Sequence, residues 1–102
     1  MKVIQRGILK IAPGKMADYM ELQEKFMAVA TRLGCPPMRC YRPLSGGGDA
    51  IRGIICEAEW DSLAALEAYF EKTVTDPEWQ ALMPKWETII ESHQLEFLMP
   101  MP

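Results

Sequence analysis

Between Pro13-Gly14 and Gly34-Cys35-Pro36-Pro37, apolar side chains recur at Met16, Tyr19, Leu22, Phe26, Val29 and Leu33. Steps of three and four set them along one stripe of a helix. Met20 and Met27 widen the stripe, while Asp18, Glu21, Glu24 and Lys25 take the solvent side. Glu21 and Lys25, four apart, support each other. Gly34 suits the left-handed position that ends a helix, and the two prolines prevent a restart. A helix bounded this firmly, with β-type segments before and after it, commits the chain to a fold in which a helix packs on a sheet.

The flanking segments supply the sheet. Residues 2–12 are rich in β-branched side chains and predict a strand. Residues 38–45 predict a short strand, with Pro43 marking an edge or a strand end. Gly46-Gly47-Gly48-Asp49 reads as a hairpin turn; it lacks the lysine and hydroxyl of a phosphate-binding loop. Residues 50–60 predict a third strand. Asp61 is expected to cap a second helix with Leu63, Leu66, Tyr69 and Phe70 facing inward. Asp76-Pro77 opens another helix, with Trp79, Leu82, Trp86 and Ile89 on its stripe. Pro84 inside it is expected to kink it or split it in two. Residues 92–98 predict the last strand, before Pro100 and Pro102.

The order strand, helix, strand, strand, helix, helix, strand is that of a ferredoxin-like split βαβ unit. This is an α+β fold with a four-stranded antiparallel sheet carrying its helices on one face. Residues 1–102 make one domain's length. The strands keep apolar residues on both sides, with Ile54 beside Ile55 and with Leu95 and Phe97 beside Leu98. A sheet apolar on both faces calls for a second cover, and a second copy packed sheet to sheet is the simplest one.

Composition narrows the partners. Apolar residues make up 49% and charged residues 25%, an ordinary globular balance. Net charge is −3 with no basic stripe, which argues against nucleic acid. No apolar run reaches the roughly 18 residues of a membrane span, and Met1–Arg6 lacks the apolar core of a signal peptide. No membrane partner is expected, and the cytoplasm is the expected compartment. Cys35, Cys40 and Cys56 are an odd number with no export signal, which speaks against a disulfide framework. With one histidine in the chain, a zinc site lacks ligands. Buried structural thiols are expected, no metal, and no cofactor, since nucleotide fingerprints are absent.

Few residues are suited to chemistry. His93 shares a strand face with Leu95 and Phe97, where it reads either as a general base in a pocket or as a hydrogen-bonded structural residue. Glu57 and Glu59 share a face with Ile55; they read as a carboxylate pair of split acidity, or as a wet strand end with Glu57 paired to Arg39. Tyr41 reads as a hydrogen-bond donor to a substrate oxygen or as a packing residue, and Gln5 and Arg39 are further polar strand residues. Trp60, Trp79 and Trp86, with eight methionines, suit either an adaptable apolar pocket or ordinary helix cores.

Several short stretches carry a family resemblance. They are Ile11-Ala12-Pro13-Gly14-Lys15, Glu59-Trp60-Asp61-Ser62-Leu63, Asp76-Pro77-Glu78-Trp79, and Glu91-Ser92-His93 followed by Leu98-Met99-Pro100. Through them nearly the whole chain resembles the dimeric α+β barrel superfamily, and within it the NIPSNAP-like and antibiotic-biosynthesis-monooxygenase-like small proteins. The resemblance implies a homodimeric barrel with a cavity between the sheet and its helices, or at the subunit interface. Relatives of this fold include cofactor-free oxygenases of polycyclic phenols, haem-degrading oxygenases, isomerases and cyclases. Haem-degrading relatives place an asparagine on the first strand, and this chain contains none. Two expectations follow. One is a small enzyme or binder for a hydrophobic or aromatic molecule, with His93, Tyr41 and Glu57 catalytic and Gln5, Arg39, Trp60, Trp79 and Trp86 around the substrate. The other is a non-catalytic dimeric interaction or regulatory module.

Overall fold

In a computed structural model, residues 1–46 and 52–102 are described. The chain runs β1 (Val3–Ile11), α1 (Met16–Arg32), β2 (Met38–Tyr41), β3 (Gly53–Trp60), α2 (Leu63–Thr75), α3 (Pro77–Ile89) and β4 (Ile90–Leu98). The strands form one antiparallel sheet in the order β2-β3-β1-β4, the ferredoxin-like α+β arrangement. Alternation along β1 sends Val3, Gln5, Gly7, Leu9 and Ile11 toward the helices. On β3 the same side carries Ile54, Cys56, Ala58 and Trp60, all buried. β4 contributes His93 opposite Leu9, Leu95 opposite Gly7 and Phe97 opposite Gln5.

Two apolar clusters join the layers. One gathers Val3, Val29, Ala30, Leu33, Ala58, Trp60, Leu66 and Tyr69. The other gathers Leu9, Ile11, Tyr19, Leu22, Phe26, Ile54, Cys56 and Ile89. Trp79 and Leu82 of α3 pack against both, so α3 bridges the clusters. Gly34 holds φ at +103° after α1, the left-handed stop expected of it.

Several local expectations are corrected. β2 ends at Tyr41, short of Pro43, which has no N–H to extend the ladder. β3 begins at Gly53, and the expected turn at 46–49 falls, beyond Gly46, outside the described residues. Ser62, not Asp61, caps α2: its extended backbone lets Oγ accept from Ala65 N–H at 3.1 Å, while Asp61 accepts from Lys2 at 2.8 Å. Leu63, first in the helix, faces solvent at 48% exposure. Pro84 does not split α3. Both Pro84 and Gln80, whose carbonyl loses its helix donor, are exposed residues. β4 begins at Ile90, directly after α3, with no loop between. No helix among the described residues is long and apolar enough to cross a membrane.

Candidate functional site

Between the sheet and helices α1 and α3 lies a cavity of about 260 Å³. Its walls are almost wholly apolar and aromatic: Tyr19, Leu22 and Phe26 from α1, Trp79, Met83 and Trp86 from α3, Leu9, Cys56 and Leu95 from the sheet. Phe26 meets Trp79 and Trp86 edge-on, with ring centroids 4.9 and 5.5 Å apart, which fixes the aromatic wall. Gln5, Gln23 and His93 interrupt this lining.

His93 stands on β4 opposite Leu9, its ring 5.5 Å from Trp86 and nearly perpendicular to it. Removal from water beside these apolar walls lowers its pKa below the usual histidine value. Burial therefore favours the neutral ring, whose free nitrogen can accept a proton. The ring makes no side-chain hydrogen bond among the described residues. The space beside it exists because β1 carries glycine there: a methyl on Gly7 would sit 3.5 Å from His93 Nε2. Gln5 is oriented by its neighbour. Trp60 Nε1–H can only donate, and it donates to Gln5 Oε1 at 2.9 Å. That leaves the Gln5 amide nitrogen as a donor at the cavity.

The expected site residues divide between the two faces of the sheet. His93, Gln5, Trp79 and Trp86 meet at the cavity, and Trp60 supports it from behind through Gln5. Tyr41, Arg39 and Glu57 do not join them. Arg39 pairs with Glu57 and Tyr41 with Ile55 in the β2–β3 register, and all four lie on the face away from the helices. The parity follows from β3, where Ile54, Cys56, Ala58 and Trp60 turn inward and so turn Glu57 out. The grouping of His93, Tyr41 and Glu57 is thus split by the thickness of the sheet. On the outer face Arg6 lies 3.8 Å from Glu57 and 4.0 Å from Glu96, while its Nε is buried without a hydrogen-bond partner among the described residues.

Of three further cavity residues, Gly7, Tyr19 and Phe26, the last two carry no functional signal in the sequence beyond helix periodicity. Gly7 is the exception in kind, an isolated glycine inside a strand, which marks a place where something approaches the backbone closely. The thiols also differ from expectation. Cys35 and Cys56 are buried, whereas Cys40 is exposed. Cys35 pairs with the Tyr69 hydroxyl and burial pushes its thiol up. Among the described residues, no group of three or more His, Cys, Asp or Glu side chains is placed to hold a metal ion.

Comparison with known proteins agrees with this architecture. Among curated proteins none matches significantly in sequence. A NIPSNAP family protein from Agrobacterium tumefaciens superposes with a TM-score of 0.84 at 26% identity, covering 99% of this chain and 94% of its own. An uncharacterised NIPSNAP domain protein from Burkholderia xenovorans gives 0.83 at 22% identity, covering 97% and 94%. A candidate antibiotic biosynthesis monooxygenase from Chloroflexus aurantiacus shares the fold, with a TM-score of 0.70 at 14% identity over 100% and 95%. The NIPSNAP family model matches residues 8–102, nearly the full length, and the chain belongs to the NIPSNAP family.

Proposed function

We propose that this chain works as a homodimer whose subunits each bind a hydrophobic aromatic molecule of about two rings in the cavity between sheet and helices. The observation that carries this reading is an aromatic-walled space interrupted by His93, which has no side-chain hydrogen bond among the described residues. Its volume of about 260 Å³ lies just below the roughly 300–1,000 Å³ typical of drug-sized ligand pockets, which sets the ligand's size. A phenol seated there would meet His93 as acceptor for its hydroxyl proton, with the Gln5 amide donating to its oxygen. A base of this kind suits proton abstraction, and with it cofactor-free oxygenation or isomerisation. The likeness in fold to a candidate monooxygenase supports the same class.

Titration with 1-naphthol, a two-ring phenol, followed by tryptophan fluorescence tests the reading. We expect saturable binding of one molecule per chain, weakened at least tenfold in Gly7→Val, whose side chain fills the space beside His93. His93→Gln should still bind, and should lose any oxygen uptake that wild type shows with the phenol. Equal binding in wild type and Gly7→Val, or none in either, would sink the proposal.

The dimer rests on the other face of the sheet. Ile4, Ile8, Ile55, Leu98 and Tyr41 lie there with no helix above them. Between them run Glu96, Arg6, Glu57 and Arg39, adjacent across β4, β1, β3 and β2 with alternating sign. A second copy laid on this face buries the apolar positions and offers acceptors to Arg6, whose Nε lacks one among the described residues.

A further inference from the structure

β2 is an edge strand, and its Cys40 stands directly opposite Cys56 of β3. Opposed residues in an antiparallel pair have Cα atoms about 4.5 or 5.5 Å apart, and a disulfide accepts roughly 4.4–6.8 Å, so neither kind of pair needs backbone movement to be bridged. The side chains already point together: the two sulfurs lie 2.6 Å apart. The partners differ in access. Cys40 is exposed at the sheet edge, and Gln23 of α1 donates its side-chain amide to Cys40 Sγ at 3.0 Å. Cys56 is buried beneath it, in the wall of the cavity. We propose that Cys40 and Cys56 form an oxidisable dithiol, with Cys40 reacting first with a hydroperoxide and Cys56 resolving it to an intrachain disulfide.

The chemistry balances with hydrogen peroxide as oxidant. The Cys40 thiolate attacks one peroxide oxygen; an S–O bond forms, the O–O bond breaks, and the departing hydroxide takes a proton to become water. Cys40 is then a sulfenic acid. The Cys56 sulfur attacks the Cys40 sulfur; the S–S bond forms, the S–O bond breaks, and hydroxide leaves with the Cys56 proton as a second water. Each sulfur gives up one electron, and the peroxide is reduced by two. The assignment of roles follows from the surroundings. The neighbouring Cys56 thiol and the Gln23 amide hold Cys40 down at about 7, so a large part is thiolate near neutrality. Cys56 is held protonated by its neighbour and by burial. Cys35, buried in the other apolar cluster and paired with Tyr69, takes no part.

Full-length protein, fully reduced and then exposed to a small excess of hydrogen peroxide, is digested without reductant and mapped by mass spectrometry. We expect a linked pair of tryptic peptides carrying Cys40 and Cys56, and titratable thiols per denatured chain falling from three to one. With oxidised glutathione, Cys56→Ser should accumulate a mixed disulfide at Cys40, whereas Cys40→Ser should gain none. Should either variant fail to fold, the wild-type map decides alone. Three titratable thiols after exposure that oxidises free glutathione, a link that joins two chains, or a link through Cys35 would each overturn the proposal.

Discussion

At the scale of single residues, His93 has the most consequence. Its pKa is lowered in the folded chain by loss of water, so below the unfolded value of about 6.5 the unfolded chain binds the proton more readily. Stability should therefore fall as pH drops from 7 through that value, and rise again on return. His93→Gln should reduce this dependence, leaving the part that Cys40, held down at about 7, contributes over the same range. Urea unfolding at pH 7.2 and pH 5.8 reads the difference; an unchanged slope in the variant would show that His93 is not its source. Residue identities announced some of the site and hid the rest. His93, Gln5, Trp79 and Trp86 were readable because each interrupts or repeats a periodic pattern. Alternation set Glu57 on one face with Ile55 and Glu59 but not which face that is, because Ile54 and Ile55 are both apolar. Arg39 and Tyr41 were not legible, because Met38-Arg39-Cys40-Tyr41 has little apolar contrast and its parity is set only by pairing with β3.

Among the elements, helix starts show where local chemistry is specific and where sequence alone is ambiguous. Asp61 and Ser62 are both capping residue types in succession, and only the backbone angles decide that Ser62 reaches Ala65. Ser62→Ala is expected to cost about 1 kcal/mol, the usual worth of a lost cap. Asp61→Ala, which loses only an exposed pairing with Lys2, should leave the melting temperature almost unchanged. A larger loss for Asp61→Ala would reverse the assignment. Asp76 does more than cap α3. It accepts from Trp79 N–H at 3.0 Å and takes both contacts of Arg32 at 2.8 and 2.9 Å, tying the end of α1 to the start of α3. Asp76→Asn, which keeps the cap but not the ion pair, should melt between wild type and Asp76→Ala in thermal unfolding followed by circular dichroism. Asp76-Pro77 was readable as a helix start because both residues signal it locally. The tie to Arg32, 44 positions away, depends on the packing of α1 beside α3.

Over the whole molecule, shape argues for association. The chain is a slab of 38 × 37 × 17 Å, one layer of helices on one sheet. It exposes 6726 Å², against about 5,800 Å² expected for a compact monomer of its mass. Its radius of gyration, 14.1 Å, exceeds the roughly 13 Å expected for its length. Layer order was legible from the succession of strands and helices, whereas the flatness was not, since it depends on the absence of a third layer. If a second copy supplies that layer, the melting temperature should rise with protein concentration across a hundredfold dilution series. Ile8→Glu, on the uncovered face, should remove the dependence and elute as a single chain; a wild type whose melting ignores concentration would contradict the dimer. The direct passage from Ile89 to Ile90 has an effect of a different kind. A helix advances by about 3.6 residues per turn and a strand alternates every two, so with no loop between them the two rhythms are held in a fixed phase. Trp86 and His93, seven positions apart on either side of that junction, face one another because of it. Here the spacing is part of the site: the junction has no slack residue to absorb an insertion or deletion, and a frame of one position would carry the histidine to the opposite side of the sheet.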